Sequence, residues 1–340
     1  MKRLIAVLLL LATCAAATAP AQAAPPDIPR ADGVPVRITP VMSLLQLSEV
    51  NDRDGIVAAE ISLQVSWRDS RLGFDPIAEA REQKEFLNEV ARAELSRIWQ
   101  PEIAVLNQVE PPRILSTTLV IRADGSVRLS ERMQVKTRVS IDLRDYPFDR
   151  QELVWQLGSL TLGREQVALV SEPLRLSRAL IIKAWTVARS VQSLTEREGL
   201  TGRPFANLDV GMVVDRQSNV AVTQIFMPYM AIIFLPLICL FNVGANTPVQ
   251  LFTALLAMLT LNFKIVLENP TIASVSNAVA DAMWMGYAYI GIALFLAMTV
   301  MRASGDRQLS DFMLELRGYL KWGVPMIFLA LLGGRIAYAM

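Results

Sequence analysis

The sequence predicts an all-β sandwich of the immunoglobulin-like kind, followed by a bundle of four membrane-spanning α-helices. Three observations carry this expectation. Apolar and charged residues alternate along short segments as far as about residue 222, the period-two signature of half-buried strands. Beyond that point long apolar runs take over, each close to the roughly 20 residues a helix needs to cross a bilayer. The chain also opens with the pattern of an export signal.

In chain order, Lys2 and Arg3 precede the apolar stretch Leu4–Ala12, and Ala21-Gln22-Ala23 offers the small residues a signal peptidase needs. Residues 1–23 are therefore read as a signal peptide, 24–222 as a sensing β-sandwich and 223–340 as a membrane domain. Of the two cysteines, Cys14 leaves with the signal and Cys239 lies in an apolar run, so no disulfide is expected in the mature chain. About 200 residues are enough for the sandwich to hold itself together by its core. The chain contains no histidine, which excludes histidine-ligated metal sites, Ser-His-Asp and Cys-His catalysis, and an imidazole pH switch. There is no phosphate-binding Gly-rich loop, and no cofactor is expected. A net charge of +1 gives no pull toward nucleic acid.

The Pro-rich segment Pro25–Pro40 reads as an extended lead-in. Strands are expected at Val57–Trp67, Arg113–Arg122, Ser126–Val139, Leu153–Leu157, Ile181–Val191 and Leu208–Val214. Turns fall at Asp124-Gly125, Tyr146-Pro147, Gly163 and Gly202. Short strands at this spacing point to a sandwich. Pro76–Ile98, with Ala80, Phe86, Leu87, Val90, Ala93 and Leu95 among many charges, reads as an amphipathic surface helix.

The four spans are expected near Gln224–Phe241, Pro248–Leu267, Ala280–Met301 and Leu320–Tyr338. Export puts the first domain outside, and the third loop, with Arg302, Arg307, Arg317 and Lys321, obeys the positive-inside rule. In the second span Val249, Thr253, Leu256, Thr260, Phe263 and Leu267 recur at steps of four and three and share one face. Threonines there can serve packing by bonding the preceding turn. A symmetric ring of such helices would instead enclose a water column with threonine collars and a dewetting constriction at Leu256.

Further motifs occur in a fixed order. They are Trp67-Arg68-Asp69-Ser70-Arg71-Leu72, Trp99-Gln100-Pro101-Glu102, Asp124-Gly125-Ser126-Val127 with Glu131-Arg132, Asp142 with Tyr146-Pro147-Phe148-Asp149, Arg216-Gln217 twelve residues before Pro228, and Pro270 after the second span. Together they resemble the pentameric ligand-gated (Cys-loop receptor) channel superfamily in its prokaryotic branch, which lacks the cysteines flanking the Tyr-Pro-Phe-Asp loop. The resemblance implies a homopentamer of identical subunits in a bacterial inner (cell) membrane, multi-pass, with the sensor domain in the periplasm or extracellular. It also implies permeating ions and a small agonist of unknown identity. It assigns the second-span face above to the pore, and Asp52, Tyr146, Pro147, Phe148, Asp149, Arg216 and Pro270 to coupling between sensor and pore.

By the same resemblance, an agonist would bind between sandwiches near Asn107, Arg132, Arg203 and Phe205, although structural roles for any one of these remain open. Gly158–Gly163 has no aromatic and Ser62 stands where relatives often carry one, which disfavours an amine held by cation–π contact. Proton sensing would have to use carboxylates. Cations are the expected permeant ions, although the inner mouth Gly244-Ala245-Asn246-Thr247 carries no charge, and Lys264 and Glu268 at the outer end stand one turn apart, where they can pair. The competing reading is a membrane-anchored sensor that does not conduct. A transporter fits less well, since the sequence shows neither an internal repeat nor an intramembrane charge pair. An enzyme fits least, for want of a nucleophile–base pair.

Overall fold

The structure is a computed structural model. It describes residues 27–29, 33–177, 180, 182, 184–198, 203–219, 222–241, 243–268, 270–303 and 307–339. The signal-peptide reading of residues 1–23, Gly202 and most of the Gly199–Arg203 stretch lie outside the described residues.

Among the described residues, eleven strands form two sheets: β1 Val36–Asn51, β2 Ile56–Arg68, β3 Gln83–Leu87, β4 Ile103–Val105, β5 Arg113–Arg122, β6 Ser126–Arg138, β7 Arg150–Ser159, β8 Val167–Leu169, β9 Arg175–Leu176, β10 Trp185–Glu198 and β11 Pro204–Arg216. The larger sheet runs β3-β5-β6-β2-β1-β8, with β9 also on β1; the smaller runs β10-β11-β7-β4. β8 and β9 join β1 in parallel and the other pairs are antiparallel.

The expected alternation is literal in β2, where Val57, Ala59, Ile61, Leu63, Val65 and Trp67 are buried and the residues between them are not. These side chains meet Leu153, Trp155 and Leu157 of β7 and Leu208, Val210 and Met212 of β11 in one core. Burial of this much apolar surface is the term that holds the sandwich together. Trp67 packs edge-on against Trp99, with ring centroids 6.3 Å apart. Two residues on, Asp69 holds the Arg71 guanidinium through a fork of 2.8 and 2.7 Å and caps the short 3-10 turn Ser70–Leu72. The β5–β6 turn closes onto this point. Gly125 has φ +78°, and a Cβ there would lie 2.5 Å from the Asp69 carbonyl oxygen, so only glycine fits.

Three expectations fail. Pro25–Pro40 is not all lead-in, because a 16-residue strand begins at Val36. Its bulges at Leu44–Gln46 and Leu47–Glu49 break the two-residue period that would have announced it. Pro76–Ile98 is not one helix either. It contains a turn, the polar edge strand β3 and an eight-residue helix, α1 Asn88–Leu95, which buries only Ala91 and Leu95. Ile181–Val191 starts late as a strand, at Trp185.

After a π-helical turn at Val222–Phe226 come α2 Met227–Phe241, α3 Thr247–Glu268, α4 Pro270–Ser274, α5 Ala278–Ala303 and α6 Arg307–Ala339. Among the described residues, three helices are long and apolar enough to cross a membrane: Val222–Phe241, Thr247–Glu268 and Ala278–Arg302. The expected span at Leu320–Tyr338 falls in α6, which begins at Arg307 and is not among these three. Its 33 residues span about 50 Å at 1.5 Å per residue, longer than the hydrocarbon core, so its charged first half extends past the apolar half. The apolar half packs on α5, where Tyr289 stacks on Phe328 at 4.9 Å. A charge pair that the sequence reading did not offer ties the C-terminal part of α6 to the first turn of α5: Arg335 Nε lies 2.6 Å from Asp281 Oδ2. The sequence separates these two by 54 residues, so linear inspection could not pair them.

Candidate functional site

Among the described residues, the loop between β6 and β7 reaches from the sandwich into the helix cluster. Residues 140–149 leave β6 and enter β7 with a cis bond between Tyr146 and Pro147. Leu143 and Tyr146 are buried in the same hydrophobic cluster as Tyr229 of α2, Ile265 of α3 and Ile272 of α4. Pro147 is buried and Phe148 half-buried. Pro270 opens α4, whose Ile272 carries that helix into the shared cluster.

Arg216, the last residue of β11, sits above this contact. Its Nε and one terminal nitrogen bond the two Asp149 oxygens at 2.6 and 3.0 Å. A terminal nitrogen also reaches Asp52, in the β1–β2 turn, at 2.8 Å. Arg216 is 13% exposed and Asp149 only 1%. The planar guanidinium lies over the Trp185 ring, 4.2 Å from its centroid, and beside that of Tyr146 at 5.1 Å. Gln151 fixes the far side of Asp149, donating to it at 2.5 Å and to the Asp142 carbonyl at 2.6 Å. One arginine thus joins the first turn, the Tyr-Pro-Phe-Asp loop and the strand leading into the membrane: Nε and one terminal nitrogen clasp Asp149, and that same terminal nitrogen bridges to Asp52.

The charges are unequal in environment. Burial would lower the Arg216 pKa, but hydrogen bonding and charge from Asp149 and then Asp52 raise it instead. Burial lifts the Asp52 carboxyl above its usual range, only partly opposed by Arg216, and one of its oxygens has no hydrogen-bond partner. Burial also raises the Tyr146 phenol. Trp185 and Gln151 were missed at the sequence level. Gln151 lies two residues past Asp149, but Trp185 is brought in only by its pairing with Arg216 across β10 and β11.

On α3, Thr247, Leu251, Ala254, Met258, Leu261 and Ile265 are buried against the other helices. Val249, Thr253, Leu256, Thr260, Phe263 and Leu267 occupy the opposite face and are exposed in the single chain. The Thr253 and Thr260 hydroxyls donate to the Val249 and Leu256 carbonyls, each at 2.9 Å. Both thereby satisfy their own donor and turn a lone pair outward. Among the described residues, Lys264 and Glu268 are exposed and form no ion pair.

Arg203 and Phe205 line a cleft of about 730 Å³ with Arg197, Glu198, Ser159 and Thr161, between the β10–β11 hairpin and the end of β7. The structure does not bring the other two expected binding residues to it. The Asn107 amide donates to the Arg138 and Val154 carbonyls at 3.0 and 2.9 Å and accepts from the Gln156 amide at 3.1 Å, so its role within the chain is to tie β6 to β7 across the two sheets. Arg132 is paired with Glu60 on the larger sheet.

Comparison with known proteins follows the same outline. Residues 23–218 match the family model described as neurotransmitter-gated ion-channel ligand binding domain. Neuronal acetylcholine receptor subunit alpha-10 of Rattus norvegicus is 24% identical over 242 residues, 69% of this chain and 52% of the relative. Subunit alpha-9 of the same species is 23% identical over 274 residues, 78% of this chain and 54% of the relative. A proton-gated ion channel of Gloeobacter violaceus is 25% identical over 214 residues, 62% of this chain and 57% of the relative. The matched region spans about half the length of the curated relatives. With a family model covering most of the sandwich, and helices long enough to span a bilayer behind it, the chain belongs to the pentameric ligand-gated, or Cys-loop, ion-channel superfamily.

Proposed function

We propose that the chain is one subunit of a homopentameric channel of a bacterial inner membrane, gated by a small ligand or by protons and conducting small cations down their gradient. The observation that carries this reading is α3. Its buried face is used up by its own bundle, while the opposite face keeps two hydroxyl levels and bulky apolar groups uncovered. Such a face suits water shared with identical neighbours. Val249, Thr253, Leu256, Thr260, Phe263 and Leu267 then line the pore, and the Leu256 ring closes it by dewetting. Asp52, Tyr146, Pro147, Phe148, Asp149, Arg216 and Pro270 transmit sandwich motion to α3, since the Arg216 cluster lies on the loop that packs against α4.

Two stimuli fit the sandwich. The cleft beside Arg203 and Phe205 takes a polar or anionic agonist, with Arg132 of an adjacent copy as a candidate for the opposite wall and Asn107 supporting the scaffold behind it. Protons can act through Asp52 and Glu131, both half-buried carboxyls that desolvation holds above their ordinary range; the relative named as proton-gated favours this route. The second reading, a sensor of the same architecture that does not conduct, is separated by one experiment. The protein is reconstituted in planar bilayers and stepped through acidic pH and a ligand panel under a salt gradient. Stimulus-evoked current with a cation-selective reversal potential is expected; a tight bilayer under every condition favours the sensor.

A further inference from the structure

Four arginines stand together on the outward face of the seven-stranded sheet, and the strand register explains how. Thr39 pairs with Ser66, Ser66 with Arg128, and Arg128 with Val120, forming one row across β1, β2, β6 and β5. Two residues along each strand, on the same face, come Arg37, Arg68 and Arg122, with Arg68 opposite Ser126. Rows about 7 Å apart on strands about 5 Å apart let these long side chains meet. They surround a cavity of about 310 Å³ that the Thr39 and Ser66 side chains also line.

Among the described residues none of the four makes an ion pair. The nearby carboxylates stop short of pairing with them: Asp124 feels the charge of Arg68 and Arg122 but forms no ion pair with either. Asp124, in the β5–β6 turn, accepts from the Ser126 amide and hydroxyl at 3.0 and 2.8 Å, and Glu85, across from Val120 on β3, accepts from Gln83. The same sheet face treats Arg132 differently, placing Glu60 against it. Like charges set on neighbouring strands repel, and arginine is the side chain whose fork matches an oxyanion.

We propose that this pocket binds a small oxyanion carrying two or more negative charges, of the phosphate or polycarboxylate class. Its volume is at the small end for ligand sites, and four converging guanidiniums neutralise a multivalent ion where chloride offers one charge and no fork. The pocket is separate from the cleft at Arg203, which belongs to the other sheet, and lies roughly 45 Å along β1 from the Asp52 turn. It does not depend on whether the protein conducts.

The test is thermal unfolding of the purified full chain in detergent at constant ionic strength, titrated with inorganic phosphate, citrate or chloride. Phosphate or citrate should raise Tm by several degrees in a saturable manner, as ligand linkage requires, and the larger of the two shifts identifies the class. Chloride should not. Arg68→Gln/Arg128→Gln should weaken the half-saturation concentration at least tenfold, while melting without oxyanion at the same or a higher temperature because two repelling charges are gone. Arg37→Gln, a milder change, should weaken binding if the double variant does not fold. Equal shifts with chloride, no shift with either oxyanion, or unchanged titration in the variants that fold would overturn the assignment.

Discussion

Arg216 presents its donors on a rigid plane and uses Nε and one terminal nitrogen on two carboxylates while its face rests on Trp185. Lysine would keep the charge but neither the fork nor the stacking. Arg216→Lys should therefore cut evoked current by about tenfold or more with surface assembly intact, and Arg216→Ala should abolish it, both read by current against surface labelling. The two acids should behave differently. Asp149→Asn removes the better-buried partner and should cost about 3 kcal/mol, seen as earlier loss of the assembled protein on heating. Asp52→Asn should cost much less, because burial already disfavours that charge. The sign follows from the raised pKa: Asp52 contributes stability that is fully present below its unfolded value near 3.8 and is lost as pH rises through its folded value. Asp52→Asn should thus flatten the stability profile in the window just above pH 3.8. A profile unchanged by the substitution would contradict the assignment of the buried charge.

At the scale of elements, α3 and α6 make opposite demands. α3 leaves one face open, and if that face lines the pore as proposed, Leu256→Thr should wet the constriction proposed at this level and shift activation toward weaker stimuli, measured as a leftward dose–response curve. α6 is tied to α5 by the Tyr289–Phe328 stack and the Asp281–Arg335 pair. Arg335→Leu leaves Asp281 without its partner; since both groups are partly exposed, a loss of about 1–2 kcal/mol is expected, recovered by adding Asp281→Leu. Strand alternation in β2, β5 and β6 and the four-and-three stepping of α3 were legible in the sequence because each side chain sees one environment per repeat. β1 was half hidden because its bulges reset the phase, and β3 because a polar edge strand resembles a helix face. Asp149 and Arg216 were legible through motif order, whereas Trp185 and the Asp281–Arg335 pair were not, since only the folded chain brings them to their partners.

For the whole molecule, the sandwich core and the main helix cluster are separate apolar clusters: Leu143 and Tyr146 of the β6–β7 loop belong to the helix cluster, and Ile141 packs against both. Closing a conduit needs copies of the chain, since one α3 presents a stripe and not an enclosure. The decisive measurement is current through Thr260→Cys protein, made in a Cys239→Ala background, during exposure to a water-soluble thiol reagent. Progressive, stimulus-dependent block is expected from a hydroxyl level that faces water in the open state. Full current after modification proven by mass spectrometry, or a thiol that stays unreactive in every condition, would contradict the claim that this face of α3 lines the ion path.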